Sequence, residues 1–246
     1  MLQFATTNIV NFVAICTNFV IYEIVWKSTH RNLKYHSKMT LFNDTELFTS
    51  GRGGKKVFDL PDTELILYDN FFIKEESDQY YNNLLNTTPW HEYDMKMYDK
   101  TVTAPRMISW YEDKTNLGAD LSKPNWTPEL LTIKEKVEKE TQETFNSVLL
   151  NLYRNGNDGV AWHSDREDDF GKNAVIASVT FGETRMFRLR HKFRKEIPQV
   201  EIPLHHGSLL LMAGTTQSFW QHQVPKTAKD ILPRINLTFR QVNREL

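Results

Sequence analysis

The chain has 246 residues, of which 40% are hydrophobic and 25% are charged, a composition typical of a globular protein with one sizeable core. Its formal net charge of −1 excludes a strongly basic protein, so any binding of nucleic acid has to come from a local patch. The single cysteine, Cys16, excludes an internal disulfide and a cysteine-based zinc site. It fits a reducing compartment and predicts an intracellular location, in the cytoplasm, nucleoid or nucleus.

Residues 1–38 differ in character from the rest of the chain. The segment from Ile9 to Trp26 is mostly apolar, but polar residues interrupt it more often than a membrane-spanning helix allows. Three interpretations remain: a weak membrane anchor, a poorly folded extension, or a stretch upstream of the true start. We favour the last, because Met39-Thr-Leu-Phe is typical of a natural beginning, and membrane association is not expected. Residues 39–60 contain Ser50-Gly-Arg-Gly-Gly-Lys-Lys and predict a flexible linker, which leaves 61–246 as the folded domain.

The next elements alternate between regular and irregular patterns. Leu65–Tyr68 predicts a short strand, and the apolar spacing over 73–85 predicts a helix. Residues 86–126 are rich in aromatic side chains and surround Ala104-Pro105-Arg106, which favours a lid or a binding surface. A second helix is predicted over 127–144, where Thr127 is a suitable N-cap and is followed by proline.

From Phe145 onward the pattern is that of strands separated by glycine and proline turns. Strands are predicted over 145–154, 174–181, 185–190, 200–204, 208–212, 219–224 and 234–241. Short strands at close spacing favour a double-sheet jelly roll. The predicted fold class is therefore α+β but mainly β, with a double-stranded β-helix core, N-terminal helices and a lid.

His163-Ser-Asp165 is the first candidate site. Residues two apart on a strand point to the same face, so an imidazole and a carboxylate converge here. A second histidine would complete the two-His-one-carboxylate set that binds Fe(II) and leaves coordination positions open. His222, late in a predicted strand, is the best candidate for that ligand. A three-residue pattern alone is equally typical of a solvated turn after a strand, and a lone histidine of a core or surface position.

The last predicted strand offers a second set of polar residues. Alternation places four of them on one face, namely Arg234, Asn236, Thr238 and Arg240. Two arginines facing a core need anionic partners, and a bound dicarboxylate would satisfy both. The alternative is a pair of surface arginines at a strand edge. Asn151 and Tyr153, also two apart, add an amide and a hydroxyl to the strand that precedes His163.

Taken together, the chain resembles the AlkB family of Fe(II)- and 2-oxoglutarate-dependent dioxygenases. The motifs that carry the resemblance fall in order over roughly residues 60–243. They are Asn151-x-Tyr153, Gly159, His163-Ser-Asp165, Ala177-Ser-Val-Thr-Phe-Gly182, Arg185-x-Phe187, His206-Gly-Ser208, His222-Gln-Val-Pro225 and Arg234-x-Asn-x-Thr-Phe-Arg240.

The resemblance implies a ligand set and a chemistry. Fe(II) would be held by His163, Asp165 and His222. The cosubstrate 2-oxoglutarate would be bound by Asn151, Tyr153, Arg234, Asn236, Thr238 and Arg240, with Arg234 at the far carboxylate and Arg240 near the keto acid end. Members of this family use O₂ to oxidise an N-alkyl group on a nucleobase, releasing aldehyde, CO₂ and succinate.

Substrate contacts are less completely specified by the resemblance. Glu167 matches the acidic position that contacts the base in this family, although a surface acid explains it equally well. The base-stacking aromatic of the family is absent from residues 116–126, and Met107, Trp110 or Tyr111 could replace it, with His163 as the other wall. Arg106 matches a family contact. Phosphate contacts are predicted in a basic hairpin, although such a cluster is also typical of a solvated face. That hairpin contains Arg185, Arg188, Arg190, His191, Lys192, Arg194 and Lys195, of which Arg185, Arg190 and Lys192 are the leading candidates.

The function expected is oxidative dealkylation of N-alkylated bases in DNA or RNA by a monomer that needs no protein partner. Three alternatives remain open. They are a 2-oxoglutarate oxygenase acting on protein or a small molecule, a non-catalytic nucleic-acid-binding module, and a zinc hydrolase with the same three ligands. The zinc hydrolase gives no reason for Arg234 and Arg240 to face inward.

Overall fold

A computed structural model describes residues 48–97, 100–113, 124–165 and 173–242. Three helices are present there: α1 (Lys74–Thr87), α2 (Pro128–Thr141) and the single-turn α3 (Thr216–Phe219). The strands in this part of the chain are β1 (Lys55–Phe58), β2 (Glu64–Tyr68), β3 (Asp94–Met97), β4 (Lys100–Thr103), β5 (Met107–Glu112), β6 (Ser147–Tyr153), β7 (Val160–His163), β8 (Ile176–Gly182), β9 (Arg185–His191), β10 (Val200–Leu204), β11 (Ser208–Ala213), β12 (Trp220–Val224) and β13 (Arg234–Arg240).

Two antiparallel sheets form the body of the fold. The major sheet has seven strands in the order β1-β2-β11-β8-β13-β6-β5, and the minor sheet has four in the order β10-β9-β12-β7. Strands β3 and β4 form a separate two-stranded sheet. This is the mainly-β jelly roll that the short, evenly spaced strands predict.

The outer face of the major sheet is covered by α1 and α2. Alternation along β13 sends Ile235, Leu237 and Phe239 into this helix–sheet core, where all three are fully buried. Helix α2 contributes Leu130, Ile133 and Val137, which share one helical face. Its start is fixed as the sequence predicts: the Leu130 amide donates to Thr127 Oγ1 at 3.2 Å.

A second core lies between the two sheets. It is formed by apolar side chains of the minor sheet, such as Leu189 and Trp220, against Leu210 and Met212 of β11. The polar residues of β13 face this inter-sheet space. The candidate site therefore lies within the jelly roll, between the sheets.

Two predictions for the first half of the chain need correction. The flexible linker over 39–60 is wrong from Phe48 onward, because Phe48 is 5% exposed in the helix–sheet core and Lys55–Phe58 pairs with β2. Residues 86–126 are more than a lid or a binding surface, because β5 within them pairs with β6 along its whole length as the edge of the major sheet. A lid over the site stays a prediction.

The interpretations offered for residues 1–38 lie outside the described residues. In the parts of the chain that the structure does describe, no helix combines the length and the apolar character needed to cross a membrane.

Candidate metal and cosubstrate site

One cavity between the sheets collects most of the predicted site residues. Its polar lining consists of Arg106, Asn151, Tyr153, His163, Asp165, Ser178, His222, Arg234, Asn236, Thr238 and Arg240. Its apolar lining consists of Leu149, Val160, Phe187, Met212 and Val224. The strands β6, β7, β8, β12 and β13 supply most of these side chains, so the site is built largely on sheet rather than on loops.

His163, Asp165 and His222 meet at one end of this cavity. Strands β7 and β12 pair so that His163 lies directly opposite His222, with ring centroids 4.3 Å apart. Asp165 follows two residues later, and its Oδ1 is 3.9 Å from His163 Nε2. One ligand atom from each residue lies within 4.8 Å of the others. The structure thus brings together His163 and Asp165 of the H-x-D pattern and His222, the three residues predicted to bind the metal.

Neighbouring groups orient each of the three side chains. His163 Nδ1 lies 2.8 Å from the Ala161 carbonyl oxygen, a contact that requires a proton on Nδ1 and leaves the Nε2 lone pair for a metal. The His222 ring stacks on Phe187 at 5.2 Å. The amide of Asp165 donates to Gln217 Oε1 at 3.0 Å, which fixes the backbone after β7.

Arg240 holds the carboxylate of Asp165. Its Nε and Nη2 donate to Asp165 Oδ2 at 2.9 and 2.8 Å, which leaves Oδ1 facing His163. Burial opposes ionisation of Asp165, but Arg240 and the two imidazoles together hold the pKa of that carboxyl below its usual value. Burial lowers the pKa of His222 to about 3. Burial also lowers the pKa of His163. At neutral pH the set therefore consists of one carboxylate and two neutral imidazoles, and a divalent cation binds to ligands in this form.

Arg234 lies at the other end of the cavity and is 1% exposed. Its Nη2 donates to Thr180 Oγ1 at 2.9 Å, whereas its Nε and Nη1 have no hydrogen-bond partner among the described residues. Burial lowers the pKa of Arg234 to about 10, so the guanidinium is still a cation at neutral pH. Burying a cation with free donors costs folding free energy unless an anion pairs with it and accepts its hydrogen bonds. These donors fit a carboxylate of a bound dicarboxylate.

The amides and hydroxyls between the two ends form an ordered network. Asn236 Nδ2 donates to Ser178 Oγ at 2.8 Å and to the Val179 carbonyl at 3.0 Å. Thr238 Oγ1 donates to Asn236 Oδ1 at 3.0 Å. Asn151 Oδ1 accepts from Arg106 Nε at 2.9 Å. All six residues predicted to bind 2-oxoglutarate therefore line the same cavity.

Sequence reasoning missed part of the lining. Ser178 of β8 lines the cavity, and Thr180 of the same strand contacts it through Arg234. The two lie opposite Thr238 and Asn236 of β13 and share their face. The available signal was alternation: they are the only hydroxyl residues within the otherwise apolar Ile176–Gly182 strand. The apolar wall carried no signal, because any buried strand has such residues.

The pairing of β5 with β6 separates the candidate base-stacking residues. Trp110 lies opposite the cavity-lining Leu149, and its Nε1 donates to Ser147 Oγ at 2.6 Å. Met107 and Tyr111 are wrong as stacking candidates, because their partners Leu152 and Val148 belong to the helix–sheet core and Tyr111 is 2% exposed there. Arg106, at the start of β5, lines the cavity, and its Nη2 donates to the Tyr93 hydroxyl at 2.6 Å.

The basic hairpin is less available than its composition suggests. Arg185 is wrong as a surface phosphate contact, because it is 5% exposed and donates to backbone carbonyls. Arg188 is paired with Glu201 at 2.7 Å, and Arg194 with Glu196 at 3.0 Å.

Two further candidates of the hairpin lie nearer its surface, and one candidate base contact cannot be placed. Lys192 Nζ donates to the Gln217 carbonyl at 2.7 Å. Arg190 is exposed; its guanidinium lies 4.4 Å from the Trp162 ring centroid and donates to Gln221 Oε1. Glu167 lies outside the described residues.

Comparison with known proteins adds independent findings. Residues 64–240 match the family model described as the 2OG-Fe(II) oxygenase superfamily. Over 190 residues the chain is 40% identical to Alpha-ketoglutarate-dependent dioxygenase alkB homolog 3 of Homo sapiens. The aligned region covers 73% of this chain and 66% of that relative. Over 188 residues it is 35% identical to the DNA oxidative demethylase ALKBH2 of Homo sapiens, which covers 71% of this chain and 72% of that relative. The solved structure of OsALKBH1 superposes with a TM-score of 0.55 at 15% identity, covering 76% of this chain and 100% of that one.

Proposed function

This chain belongs to the 2OG-Fe(II) oxygenase superfamily and, within it, to the AlkB family, and on that premise we propose that it oxidatively removes N-alkyl groups from bases of DNA or RNA. The observation that carries the proposal is one cavity with a convergent His-Asp-His set at one end and a buried Arg234 with two free donors at the other. A metal and a dicarboxylate would fill these two ends.

Each residue of the cavity has a role in this proposal. His163, Asp165 and His222 would hold Fe(II), and Arg240 fixes the carboxylate of Asp165. Arg234 and Tyr153 would bind the far carboxylate of 2-oxoglutarate, and Asn151, Asn236 and Thr238 line the cavity between them and the metal ligands. When bound, Fe(II) and 2-oxoglutarate supply with O₂ the oxidation that hydroxylates the alkyl carbon, after which the product releases aldehyde and the repaired base.

The protein's own contribution is orientation and exclusion of water. Phe187 and Val224 line the cavity beside His222, and both are buried. An apolar wall limits the access of solvent to the part of the cavity where the metal would be held.

A base must leave its stack to reach a site between two sheets. Arg106 lines the cavity on the side of β5, and Trp110 follows it on the same face of that strand. We assign these two residues to the entering nucleotide. Arg190, exposed and stacked on Trp162, and Lys192 are assigned to the phosphate backbone.

The test is a panel of N-methylated DNA and RNA oligonucleotides scored for formaldehyde in the presence of Fe(II) and 2-oxoglutarate. We expect release from at least one member of the panel, and none from the Asp165→Ala variant, which lacks a metal ligand. Consumption of 2-oxoglutarate without formaldehyde from any methylated nucleic acid would overturn the proposed substrate class.

A second candidate keeps the chemistry and changes the substrate to a protein or a small molecule. It is favoured by the internal pairing of the basic hairpin, where Arg185, Arg188 and Arg194 all have partners within the fold. The two candidates differ in the effect of salt. Binding to a methylated single-stranded oligonucleotide that weakens steeply with salt supports the nucleic-acid substrate.

A further inference from the structure

A second buried guanidinium, that of Arg185, lies behind the cosubstrate end of the cavity. The residue is on β9 and is 5% exposed, yet it does not line the cavity. Its hydrogen bonds go to backbone carbonyls rather than to a carboxylate: Nη2 donates to Pro225 at 2.6 Å and to Asp158 at 3.0 Å, and Nη1 to Asn155 at 3.4 Å. The carboxylates of Asp158 and Glu183 favour the charge of Arg185 without a hydrogen bond to it. A buried cation whose own hydrogen bonds all go to neutral carbonyls calls for a physical reason.

These carbonyls belong to two loops that serve the metal ligands. Asn155 and Asp158 lie in the loop that leads into β7 and His163, and Pro225 directly follows β12, which carries His222. The same two loops are joined by a hydrogen bond from the Thr227 amide to the Gly156 carbonyl at 2.8 Å. They approach so closely that a Cβ at Gly156 would lie 2.3 Å from the Thr227 carbonyl oxygen. Arg185 therefore connects and braces the two loops, one of which precedes His163 while the other follows the strand of His222.

Arg185 also contacts the cosubstrate pocket through Tyr153. Its Cζ lies 5.8 Å from the ring centroid of Tyr153, and the Cζ of Arg234 lies 5.1 Å from the same centroid. Tyr153 is 3% exposed, so its ring has little freedom to move away from either cation. The two positive charges repel each other, and this adds to burial in lowering the pKa of Arg234. An incoming dicarboxylate relieves that repulsion.

We propose that Arg185 is a positioning residue for the binding of 2-oxoglutarate. It packs against the Tyr153 ring that Arg234 also contacts, adds positive charge behind the carboxylate end of the cavity and braces the two loops. This rests on the cosubstrate assignment of the proposed function, but it does not depend on which substrate is oxidised. Arg185 acts through Tyr153 and the loops, and touches neither the cosubstrate nor the metal.

The experiment measures binding of 2-oxoglutarate to the full chain by calorimetry, without oxygen and with Mn(II) in place of Fe(II). We expect Arg185→Met to raise the Kd for 2-oxoglutarate about tenfold or more, the size of effect typical of residues that orient the ligands of a site. Arg185→Lys keeps the charge but places one nitrogen among three carbonyls, and we expect an intermediate rise of about threefold. Arg188→Met, on the same strand but paired with Glu201 on the outer face, is the matched control and should leave the Kd unchanged.

Thermal unfolding without ligand separates positioning from folding. If Arg185→Met lowers the melting temperature but leaves the Kd for 2-oxoglutarate at the wild-type value, Arg185 is only structural and the proposal is wrong. If Arg185→Met does not fold, Arg185→Lys decides: a wild-type Kd in that variant overturns the proposal, and a raised Kd supports it. No nucleic acid is present, so failure to find an alkylated substrate leaves this result unaffected.

Discussion

Arg234 is a buried cation with two free donors. Its replacement should change two quantities, the affinity for 2-oxoglutarate and the stability of the ligand-free protein. Arg234→Met should weaken binding of 2-oxoglutarate by roughly a hundredfold, since loss of one partner of a buried charged pair costs about 3 kcal/mol. The ligand-free variant should be as stable as the wild type or more so, because an uncompensated buried cation has been removed.

Thermal unfolding with and without cosubstrate checks both sides of the Arg234 prediction. At a ligand concentration about a hundred times its Kd, the wild type should gain about 2.7 kcal/mol of stability. Arg234→Met should gain only about 0.4 kcal/mol at the same concentration, which would then equal its Kd. A variant that loses its fold without ligand, or still responds fully to it, contradicts the assignment of Arg234 to the far carboxylate.

Arg240 gives a different result, because its partner is a metal ligand rather than the cosubstrate. Its Nε and Nη2 both donate to Asp165 Oδ2. Arg240→Met should therefore lower the affinity for Mn(II) about tenfold to a hundredfold, the effect typical of groups that orient ligands. Titration of the metal without 2-oxoglutarate measures this directly. An unchanged metal affinity would show that Asp165 keeps its orientation without the arginine.

At the scale of single residues, the site was predictable wherever alternation and chemistry agreed. Arg234 to Arg240 alternates polar and apolar residues, and the polar face needs an anion wherever it is buried. Arg185 was misassigned because it was grouped by charge with its neighbours. Alternation alone places it with Phe187 and Leu189, on the buried face, whereas Arg188 and Arg190 share the outer face with Met186.

At the scale of elements, the adjacent residues Trp110 and Tyr111 of β5 test the register in which this strand pairs with β6. Tyr111→Ala should cost about 3 kcal/mol or more of unfolding free energy, because the ring is fully packed in the helix–sheet core. Trp110→Ala should cost less stability but raise the KM for a methylated oligonucleotide, because Trp110 is half-buried on the cavity face of the strand. Urea unfolding and steady-state kinetics measure the two effects. The reverse pattern would mean that β5 is shifted by one residue.

Helices and strands could be predicted where their sequence pattern was long. They were missed where pairing with a neighbouring strand, rather than their own pattern, determines their structure. Strand β7 has only four residues, so no periodicity could reveal it, and it forms because it pairs with β12. Strand β1 follows a glycine-rich stretch that is typical of a linker. Its residues are largely exposed, and pairing with β2 rather than burial makes them extended.

At the scale of the whole molecule, sheet topology makes one site out of distant segments. The metal ligands come from β7, the residue pair after it, and β12, whereas the cosubstrate residues come from β6 and β13 of the other sheet. Residue types and spacing identify both groups separately. That they share one cavity follows from the packing of the two sheets, which no local pattern in the sequence contains.

Burial of neutral histidines should make the stability of the whole fold depend on pH. His206 is fully buried; its Nδ1 accepts from the Gly182 amide at 2.8 Å, and its Nε2 lies 3.1 Å from Asp78 Oδ1. Burial lowers the pKa of His206 below 6.5, although Asp78 opposes the shift. Burial also lowers the pKa of His163 and of His222. A proton on Nδ1 of His206 would break its bond to the Gly182 amide at the end of β8, and with it the link that His206 makes between β8 and Asp78 of α1.

The unfolded chain therefore takes up protons at a higher pH than the folded one. As the pH falls below about 6.5, the ordinary value for histidine, the free energy of unfolding should decrease until the folded-state pKa is reached. Urea unfolding of the metal-free protein at several pH values between 8 and 5 measures this slope. His206→Gln should lower stability at pH 8, because a buried hydrogen bond is lost, but should show a shallower slope, because one titrating group is gone. An identical slope in both proteins would mean that the pKa of His206 is the same in the folded and the unfolded chain, so that Asp78 fully offsets the effect of burial at this position.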